Sequence, residues 1–566
     1  MSKINTHFLK QYWQIAKSYW LAPRSSSARK LLLLLICLSV FSSSLLVLET
    51  LQRGEIISAL AVRDGDRFWQ TIKLLSLVII LSIPLVSWKK YFESRLALNW
   101  RKWLTERLLN KYFSDRKFYY LNTVSELDNP DRTIAEDINN FSQQSLFLFT
   151  QTLDSLIQLI AFVVIIWLIY KPLVLFLLVY SILGTGSLFF IFGRILTIIN
   201  LEQFKKEADF RFSLIRVRDN AETIAFYRGE SLEKQQIKQR LLAVIKNFNR
   251  LIRWRFGLDL FQNGFQFLTM LIPALILAPS IFADQIEVGA ITQSQIAFER
   301  IWLSLSLVIF QFDKITNLAA GVQRLDSLTN YLNSQQHDSS VKSNLIHIEE
   351  KDYLAIENLS LQTPDSQTQL IKELSLQIEP SQRLLIMGNS GVGKSSLIRA
   401  IASLWKTGTG SITKPQSTDI LFLPQRPYLI LGSLQSQLIY PNFTNSINQD
   451  QLLEIMEKVN LTKVLKKFGG LSAETDWSQV LSRGEQQRLA FARLLLQQPK
   501  YAFLDESTSA LDEYNQDLLY QELAATKTSF ISVSHRANLI QYHQQVLQLS
   551  NNGTWNLFSA AEFNNN

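Results

Sequence analysis

The chain has 566 residues, 47% of them apolar, and 57 Lys and Arg against 48 Asp and Glu, which leaves a formal charge of +9. This length predicts more than one domain, and the apolar fraction excludes a disordered polymer. A single cysteine, Cys37, excludes an intrachain disulfide and a cysteine-based zinc site. Because Cys37 lies in an apolar run, we expect it to be a buried packing residue.

Apolar residues concentrate in the first 320 positions, where long uncharged runs predict membrane-spanning helices. Residues 31–48 carry no charge over 18 positions, enough to approach a hydrocarbon layer of ~30 Å. A cleaved signal peptide is the alternative, but no small-residue cleavage site follows and more apolar runs come later. Further spans are predicted at residues 74–88, 155–170, 172–193 and 260–283. Residues 288–312 form a weaker sixth candidate, because Glu299 and Arg300 interrupt the run.

Basic residues are distributed unevenly between the predicted connections. Residues 89–140 hold ten Lys and Arg and residues 201–255 hold thirteen, whereas residues 49–73 balance four bases with four acids. By the positive-inside rule, the amino terminus and the two long connections face the cytoplasm. Six spans place the carboxy-terminal half on the same side. The basic charge is then explained by topology, and no nucleic-acid partner is expected.

This pattern predicts a multidomain membrane protein with four segments. They are a cytoplasmic amino-terminal segment (1–30), a six-helix all-α transmembrane domain (31–330), a linker (331–350) and an α/β domain (351–566). In the first segment, Phe8, Tyr12, Ile15 and Tyr19 recur at helical spacing. They predict a helix that lies either in the membrane interface or on the cytoplasmic connections, and both alternatives stay open.

A phosphate-binding loop follows the apolar strand predicted at residues 384–387 and precedes a helical stretch at residues 396–402. Glycines let backbone N–H groups turn towards phosphates, and the helix amino terminus adds a positive field. Lys394 would reach the β and γ phosphates, and Ser395 would bind Mg²⁺. The loop residues are Gly388, Asn389, Ser390, Gly391, Val392, Gly393, Lys394, Ser395 and Ser396. The α/β domain is therefore predicted to be a P-loop NTPase that binds ATP and Mg²⁺.

Two adjacent acids, Asp505 and Glu506, end a second apolar strand predicted at residues 501–504. Acids at the tip of a buried strand are costly unless a cation or a reacting water occupies them. We expect Asp505 to bind Mg²⁺ and Glu506 to act as the base that orients or deprotonates the attacking water.

With these motifs the chain resembles an ATP-binding cassette (ABC) half-transporter, in which the membrane part precedes the nucleotide-binding domain. Residues 481–488 are similar to the signature segment of that family, with Ser482, Arg483, Gly484 and Glu485 at its centre. Residues 509–512 resemble the D-loop. The resemblance implies that Gln425, after the strand predicted at residues 420–423, binds Mg²⁺ and takes part in catalysis as the Q-loop glutamine. It also implies that His535 senses the γ-phosphate.

The resemblance further implies a dimer. In the family, Ser482 and Gly484 of one subunit would close over the ATP that Lys394 of the other subunit holds. One nucleotide-binding domain per chain therefore requires a second copy of this chain or a related half-transporter.

Two departures from the family pattern concern the nucleotide. Arg483 and Glu485 stand where the signature usually has Gly and Gln. The region that often supplies an aromatic residue for the adenine reads Gln362, Thr363, Pro364. The base would then be held in another way.

A closer likeness is to the D-subfamily, which comprises peroxisomal acyl-CoA half-transporters and bacterial relatives that import peptides or cobalamin. Residues 129–137 and 222–230 resemble that branch's two cytoplasmic connections, and residues 423–428 resemble its Q-loop run. The likeness implies an ATP-driven transporter that works by alternating access, and the bacterial inner membrane is expected as its location. Import or export and the cargo stay open. Glu299 and Arg300 are either candidate cargo residues or a mutual ion pair near the membrane interface, and both alternatives stay open. The alternative is a membrane-anchored ABC ATPase that regulates a channel or senses a ligand without transport.

Overall fold

The computed structural model describes residues 2–22, 26–121, 129–333, 346–363, 368–441 and 447–564. The chain divides into two compact units, residues 1–334 and 335–566. The helices of the first unit are α1 (Ser2–Trp20), α2 (Ser26–Val62), α3 (Gly65–Phe113), α4 (Lys117–Leu121), α5 (Pro130–Arg132), α6 (Ile138–Ile169), α7 (Lys171–Leu188), α8 (Arg194–Asp219), α9 (Ala221–Tyr227), α10 (Glu230–Phe282), α11 (Gly289–Leu305), α12 (Leu307–Phe310) and α13 (Phe312–Asn333).

Five helical stretches among the described residues are long and apolar enough to cross a membrane. They are Ser26–Val62, Gly65–Leu121, Pro130–Ile169, Lys171–Asp219 and Glu230–Phe282. The first unit is therefore a membrane-embedded helical region, as predicted. The basic connections at residues 89–140 and 201–255 are largely helical continuations of these stretches rather than irregular loops.

The sixth predicted span is not one continuous helix. Residues 288–312 form α11, of 17 residues, then the short α12 and the start of α13. At 1.5 Å per residue α11 is about 25 Å long, less than the ~30 Å of a hydrocarbon core. The break falls at Ser306, which is fully buried and shares a hydrogen bond of 3.1 Å with Thr185 of α7. Contacts with another helix therefore accompany the break.

The amino-terminal helix packs on the bundle. Ile15 and Tyr19 of α1 are each only 5% exposed, and Tyr19 stacks on Trp100 of α3 with ring centroids 5.5 Å apart. Gln11 donates a hydrogen bond of 2.9 Å to Asp326 of α13. These contacts favour the second of the two alternatives for α1. The expectation that Cys37 is buried is wrong, because its side chain is exposed on α2.

A bidentate ion pair joins α13 to the segment before α6. Arg324 donates from Nε and Nη2 to the two carboxylate oxygens of Asp137, both at 2.7 Å. The Asp137 side chain is nearly completely buried. This charge is therefore satisfied by Arg324 rather than by water.

The second unit contains two main sheets. Its strands are β1 (His347–Glu350), β2 (Leu354–Gln362), β3 (Gln369–Ile378), β4 (Arg383–Gly388), β5 (Gly408–Lys414), β6 (Ile420–Leu423), β7 (Gly432–Ser433), β8 (Glu474–Thr475), β9 (Tyr501–Asp505), β10 (Ser529–Val533), β11 (Gln545–Leu549) and β12 (Trp555–Ser559). Its helices are α14 (Lys394–Ile401), α15 (Leu434–Ile439), α16 (Gln449–Lys458), α17 (Thr462–Phe468), α18 (Trp477–Val480), α19 (Arg483–Gln497), α20 (Glu513–Ala524) and α21 (Ala560–Asn564).

The larger sheet has the order β12-β11-β4-β10-β9-β6, with every pairing parallel except that of the edge strand β12. Alternate residues of its central strands enter two separate cores, one on each face: Leu385 and Leu504 in one, Leu384 and Phe503 in the other. The central strands are apolar throughout because both faces are covered. Parallel strands bring their carboxyl ends to one edge, which is where ligands bind in such sheets.

The smaller sheet has the order β1-β5-β2-β3 and mixes parallel and antiparallel pairs. The α/β fold class predicted for this part of the chain is confirmed. The strands and the helix expected around the phosphate-binding loop are present as β4, β6, β9, β10 and α14.

A glycine contact between α2 and α11 generates a stability prediction. A Cβ on Gly289 would lie 2.0 Å from the carbonyl oxygen of Gly54. Gly289→Ala must push these backbones apart, and overpacking of this kind costs about 1–3 kcal/mol. We expect a lower thermal unfolding midpoint in detergent, measured by tryptophan fluorescence. The control is Gly186→Ala in α7, where a Cβ would meet nothing within 4 Å. An equal midpoint for both variants would contradict the close contact.

Candidate functional site

The phosphate-binding loop connects β4 to α14, and two of its glycines are required by the backbone. Gly388 has φ 145°, and a Cβ there would lie 2.5 Å from the carbonyl oxygen of Leu549 on β11. Gly393 has φ 103° and precedes the first turn of α14. Both conformations are strained for residues with side chains. The loop therefore forms a glycine-dependent cradle at the amino terminus of a helix.

Lys394 turns back into this cradle. Its ammonium donates hydrogen bonds of 2.8 Å to the carbonyl oxygens of Gly388 and Asn389, and its side chain is buried. Burial lowers the pKa of Lys394, and the nearby charges of Glu506 and Asp505 oppose that shift. A phosphate in the cradle would stabilise the charged ammonium. The geometry therefore fits a polyanionic ligand.

Ser395 and Asp505, two of the three predicted magnesium ligands, lie together. The Ser395 hydroxyl donates to Asp505 Oδ1 at 3.2 Å. Desolvation raises the pKa of Asp505, the hydrogen bond from Ser395 lowers it, and the charge of Glu506 raises it further. Hydroxyl and carboxylate oxygens are ligands that Mg²⁺ prefers, and a cation would offset the desolvation of the carboxylate. These two residues therefore fit the ion.

Two of the three predicted catalytic side chains, Gln425 and His535, contact the third, Glu506. Gln425 Nε2 donates to Glu506 Oε2 at 2.8 Å, and His535 Nε2 lies 3.3 Å from Glu506 Oε1. The Glu506 backbone has φ 47°, and its N–H donates to Val533 at the end of β10. Gln425 thus directs its amide nitrogen at Glu506 and not at the Ser395–Asp505 pair. The structure holds the Glu506 carboxylate between an amide and an imidazole at the carboxyl edge of the sheet.

The signature segment begins α19. Ser482 is the N-cap: its hydroxyl accepts from the N–H of Glu485, while Glu485 Oε2 accepts at 2.8 Å from the N–H and from the hydroxyl of Ser482. Glu485 thus completes a capping box, for which Glu and Gln serve equally well. A Cβ on Gly484 would approach the carbonyl oxygen of Ala510 to 3.2 Å. Within the described residues, no hydrogen bond or ion pair connects Ser482, Arg483 or Glu485 to the phosphate-binding loop.

Two further polar residues organise the site, and the sequence analysis missed them. Gln487 is 3% exposed; it donates to the carbonyl oxygen of Gln425 and to the Ser509 hydroxyl, and it accepts from the N–H of Ala510. Gln487 lies on the same face of α19 as the buried Phe491. Helical spacing could therefore have predicted a buried amide here.

Arg536, next to His535, binds the carbonyl oxygens of Ser509 and Leu511 at 3.1 Å each. It also donates to the side chain of Gln516 at 2.7 Å. Sequence spacing gives no signal for this contact, because Arg536 and the D-loop are joined only in the folded domain.

The region expected to approach the adenine is only partly described. Gln362 accepts a hydrogen bond of 2.9 Å from Trp405 through its carbonyl oxygen, and Thr363 follows at the end of β2. Pro364 lies outside the described residues. The manner in which the base is held stays a prediction.

The site lies in an α/β unit that follows an apolar helical unit. This arrangement defines a class of membrane proteins that bind ATP, and comparisons with known proteins identify the family. The family model for ABC transporter transmembrane region 2 matches residues 16–282, and that for the ABC transporter domain matches residues 371–509. The chain therefore belongs to the ABC transporter family, with an ATPase domain fused to the membrane region.

Three curated relatives are similar over most of their length. An uncharacterized ABC transporter ATP-binding protein of Synechocystis is 44% identical over 511 residues, which cover 89% of this chain and 77% of that protein. The chloroplastic ABC transporter D family member 2 of Arabidopsis thaliana is 36% identical, over 96% of this chain and 86% of its own. The human lysosomal cobalamin transporter ABCD4 is 31% identical, over 98% and 97%. The likeness to the D-subfamily is confirmed.

The role of Gln487 generates a second prediction. In Gln487→Ala, the Gln425 carbonyl and the D-loop lose a shared partner, so Glu506 is positioned less well. We expect kcat for ATP hydrolysis to fall at least tenfold, about 1.4 kcal/mol in the barrier, while the affinity for ATP changes little. Steady-state ATPase assays and equilibrium nucleotide binding on purified protein measure both quantities. The matched control is Gln451→Ala, an exposed glutamine on α16. A drop in ATP affinity with unchanged kcat would contradict this role.

Proposed function

We propose that the chain is an ATP-driven half-transporter that moves a cargo across the bacterial inner membrane by alternating access. The observation that carries the proposal is the Glu506 carboxylate, held between Gln425 and His535 beside the Ser395–Asp505 pair. A carboxylate in this position can accept a proton from water next to a bound nucleotide. The same chain carries five helical stretches that are able to cross a membrane.

Each residue of the site has a proposed task in hydrolysis. The loop 388–396, with the ammonium of Lys394, binds the phosphates of the substrate ATP. Ser395 and Asp505 would hold Mg²⁺, which neutralises charge that develops on the phosphates. The amide oxygen of Gln425, whose nitrogen bonds to Glu506, is the proposed third ligand. Glu506 accepts the proton of the attacking water. His535 and Gln425 orient that carboxylate, and His535 senses the γ-phosphate.

The signature residues act on a second subunit. Among the described residues, no hydrogen bond or ion pair joins Ser482, Arg483 or Glu485 to the phosphate-binding loop of their own chain, and their exposed capping box is available to another nucleotide. We infer a dimer with two composite ATP sites, formed by two copies of this chain or with a related half-transporter.

Orientation and coupling follow from charge and exposure. The excess of Lys and Arg in residues 89–140 and 201–255 supports a cytoplasmic position for these segments, for the amino terminus and for the nucleotide-binding unit. The short helix α9 exposes Phe226 and Tyr227 by 79% and 82%. Two adjacent aromatic side chains this exposed are suited to dock on a partner surface.

A transport assay separates the proposal from its alternative. Purified protein in sealed vesicles, with the nucleotide site facing outwards, should show ATP-dependent movement of a cargo across the membrane. ATP hydrolysis without net movement of any cargo would instead support an ABC ATPase that regulates a channel or senses a ligand. The same vesicles distinguish import from export by the direction of movement.

Glu506→Gln tests the catalytic assignment. The amide keeps the shape of the side chain but cannot accept a proton, and general bases contribute about 10²–10⁴-fold to rates. We expect ATP hydrolysis to fall at least ~100-fold, while the variant still binds ATP in equilibrium measurements. Glu457→Gln, an exposed glutamate on α16, is the control and should keep full activity. Wild-type hydrolysis by Glu506→Gln would remove Glu506 from the role of base.

A further inference from the structure

One face of α10 carries a polar residue at each successive turn where the helix enters its apolar run. Arg255, Asp259, Gln262 and Gln266 are spaced by four, three and four residues, so they share one side of the helix. Polar side chains in a membrane-spanning helix are costly in lipid and face a cavity or another helix. We call these four residues the polar stripe.

The first part of the stripe lines a cavity of about 200 Å³ between α8, α10 and the start of α13. Arg255 pairs with Asp313 at 2.9 Å, and Asn200 donates to the other oxygen of the same carboxylate at 3.1 Å. Asp313 is therefore neutralised. Asp259, which lines the same cavity, forms no ion pair and no hydrogen bond with any residue that the structure describes.

The stripe continues to a second carboxylate. Gln266 Nε2 donates to Glu299 Oε1 of α11 at 3.1 Å. Glu299 has no cationic partner in the described ranges. Its neighbour Arg300 is rotated by about 100° around the helix, onto the side of Gln293, which bonds to α2. The amide of Gln266 therefore satisfies one oxygen of Glu299 but does not balance its charge.

The described charges along this surface are unequal. Three carboxylates, Asp259, Glu299 and Asp313, stand against one guanidinium, that of Arg255. These four side chains together carry an excess of two negative charges. A cationic ligand would be attracted to this surface, and an anionic ligand would be repelled.

Aromatic rings accompany the stripe. Phe261 and Phe265, each one position before a glutamine of the stripe, stack at 4.6 Å, and Phe265 stacks on Trp302 at 5.3 Å. Phe192 lies 6.1 Å from Phe261 and lines the cavity. Aromatic faces bind apolar groups and also attract cations. Trp302 is fully buried, and Phe192 is the ring of this group that lines the cavity. The carboxylates and Phe192 at the cavity therefore suit a ligand with a positive charge next to an apolar group.

We propose that the cavity and the polar stripe form a cargo-binding surface that selects cargo with a cationic group beside an apolar or aromatic group, and that disfavours anionic cargo. This inference rests on the proposed transport function, because it assigns the cargo class of that transporter. Pockets for drug-sized ligands measure about 300–1,000 Å³. A cavity of about 200 Å³ is smaller, so it accommodates one end of a cargo.

Three blocked dipeptides that differ only in charge test the selection. N-acetyl-Phe-Lys-amide, N-acetyl-Phe-Gln-amide and N-acetyl-Phe-Glu-amide are titrated by ligand-observed NMR into full-length protein in nanodiscs, without ATP. We expect the lysine probe to bind most tightly and the glutamate probe least. Asp259→Asn and Glu299→Gln should each reduce the preference for the lysine probe over the glutamine probe about three- to fivefold. This factor is in the upper part of the range that ion pairs partly exposed to solvent contribute.

Glu230→Gln is the matched control, because it removes an exposed acid at the start of α10, away from the stripe. It should leave the preference unchanged. An unchanged thermal unfolding midpoint in each variant, measured by tryptophan fluorescence, shows that the chain is folded. Equal binding of the three probes, no binding of the lysine probe at millimolar concentration, or an unchanged preference in both Asp259→Asn and Glu299→Gln would overturn the inference.

The NMR titration and the vesicle assay test ligand binding and transport separately. A charge preference that depends on Asp259, together with vesicles that hydrolyse ATP without moving any cargo, would reject the proposed transport and keep the ligand selectivity. ATP-driven movement of cargo with no charge preference would reject the cargo class and keep the transporter.

Discussion

Buried charge at the carboxyl edge of the six-stranded sheet is the constraint on which the site depends. Burial lowers the pKa of Lys394 and raises the pKa of Asp505, so desolvation acts on both groups in the direction of their neutral forms. The protein alone compensates this with hydrogen bonds from Ser395 and to the loop carbonyls. A polyphosphate and a divalent cation would supply the missing opposite charges. The fold thus presents a site whose electrostatics are completed by its ligands.

The parallel strands make this arrangement possible. Val533 of β10 pairs with Asp505 of β9, and the N–H of Glu506 bonds to Val533, so the carboxylate emerges beside His535. Gln487 and Arg536 then hold the Q-loop and D-loop segments against this edge. A change at the nucleotide therefore reaches several loops through a few hydrogen bonds.

The parts of the fold that depend on local sequence could be predicted. The phosphate-binding loop, its strand and its helix are contiguous. The ends of β9 at Asp505 and of β10 at Val533, two residues before His535, follow from apolar runs. The interruption at Ser306 could not be predicted, because it accompanies a contact with Thr185 over a hundred residues away. The exposure of Cys37 could not be predicted either, since an apolar run does not reveal whether a residue faces protein or lipid. Arg536 was missed because its partners lie in a distant loop.

The Asp137–Arg324 ion pair has a mechanical consequence. Asp137 immediately precedes the membrane-crossing helix α6, and Arg324 lies on α13, the last helix of the first unit. Two parallel hydrogen bonds to a buried carboxylate resist sliding and rotation as well as separation. A displacement of α13 would therefore be transmitted to the amino-terminal end of α6, so that these two helices move together rather than independently.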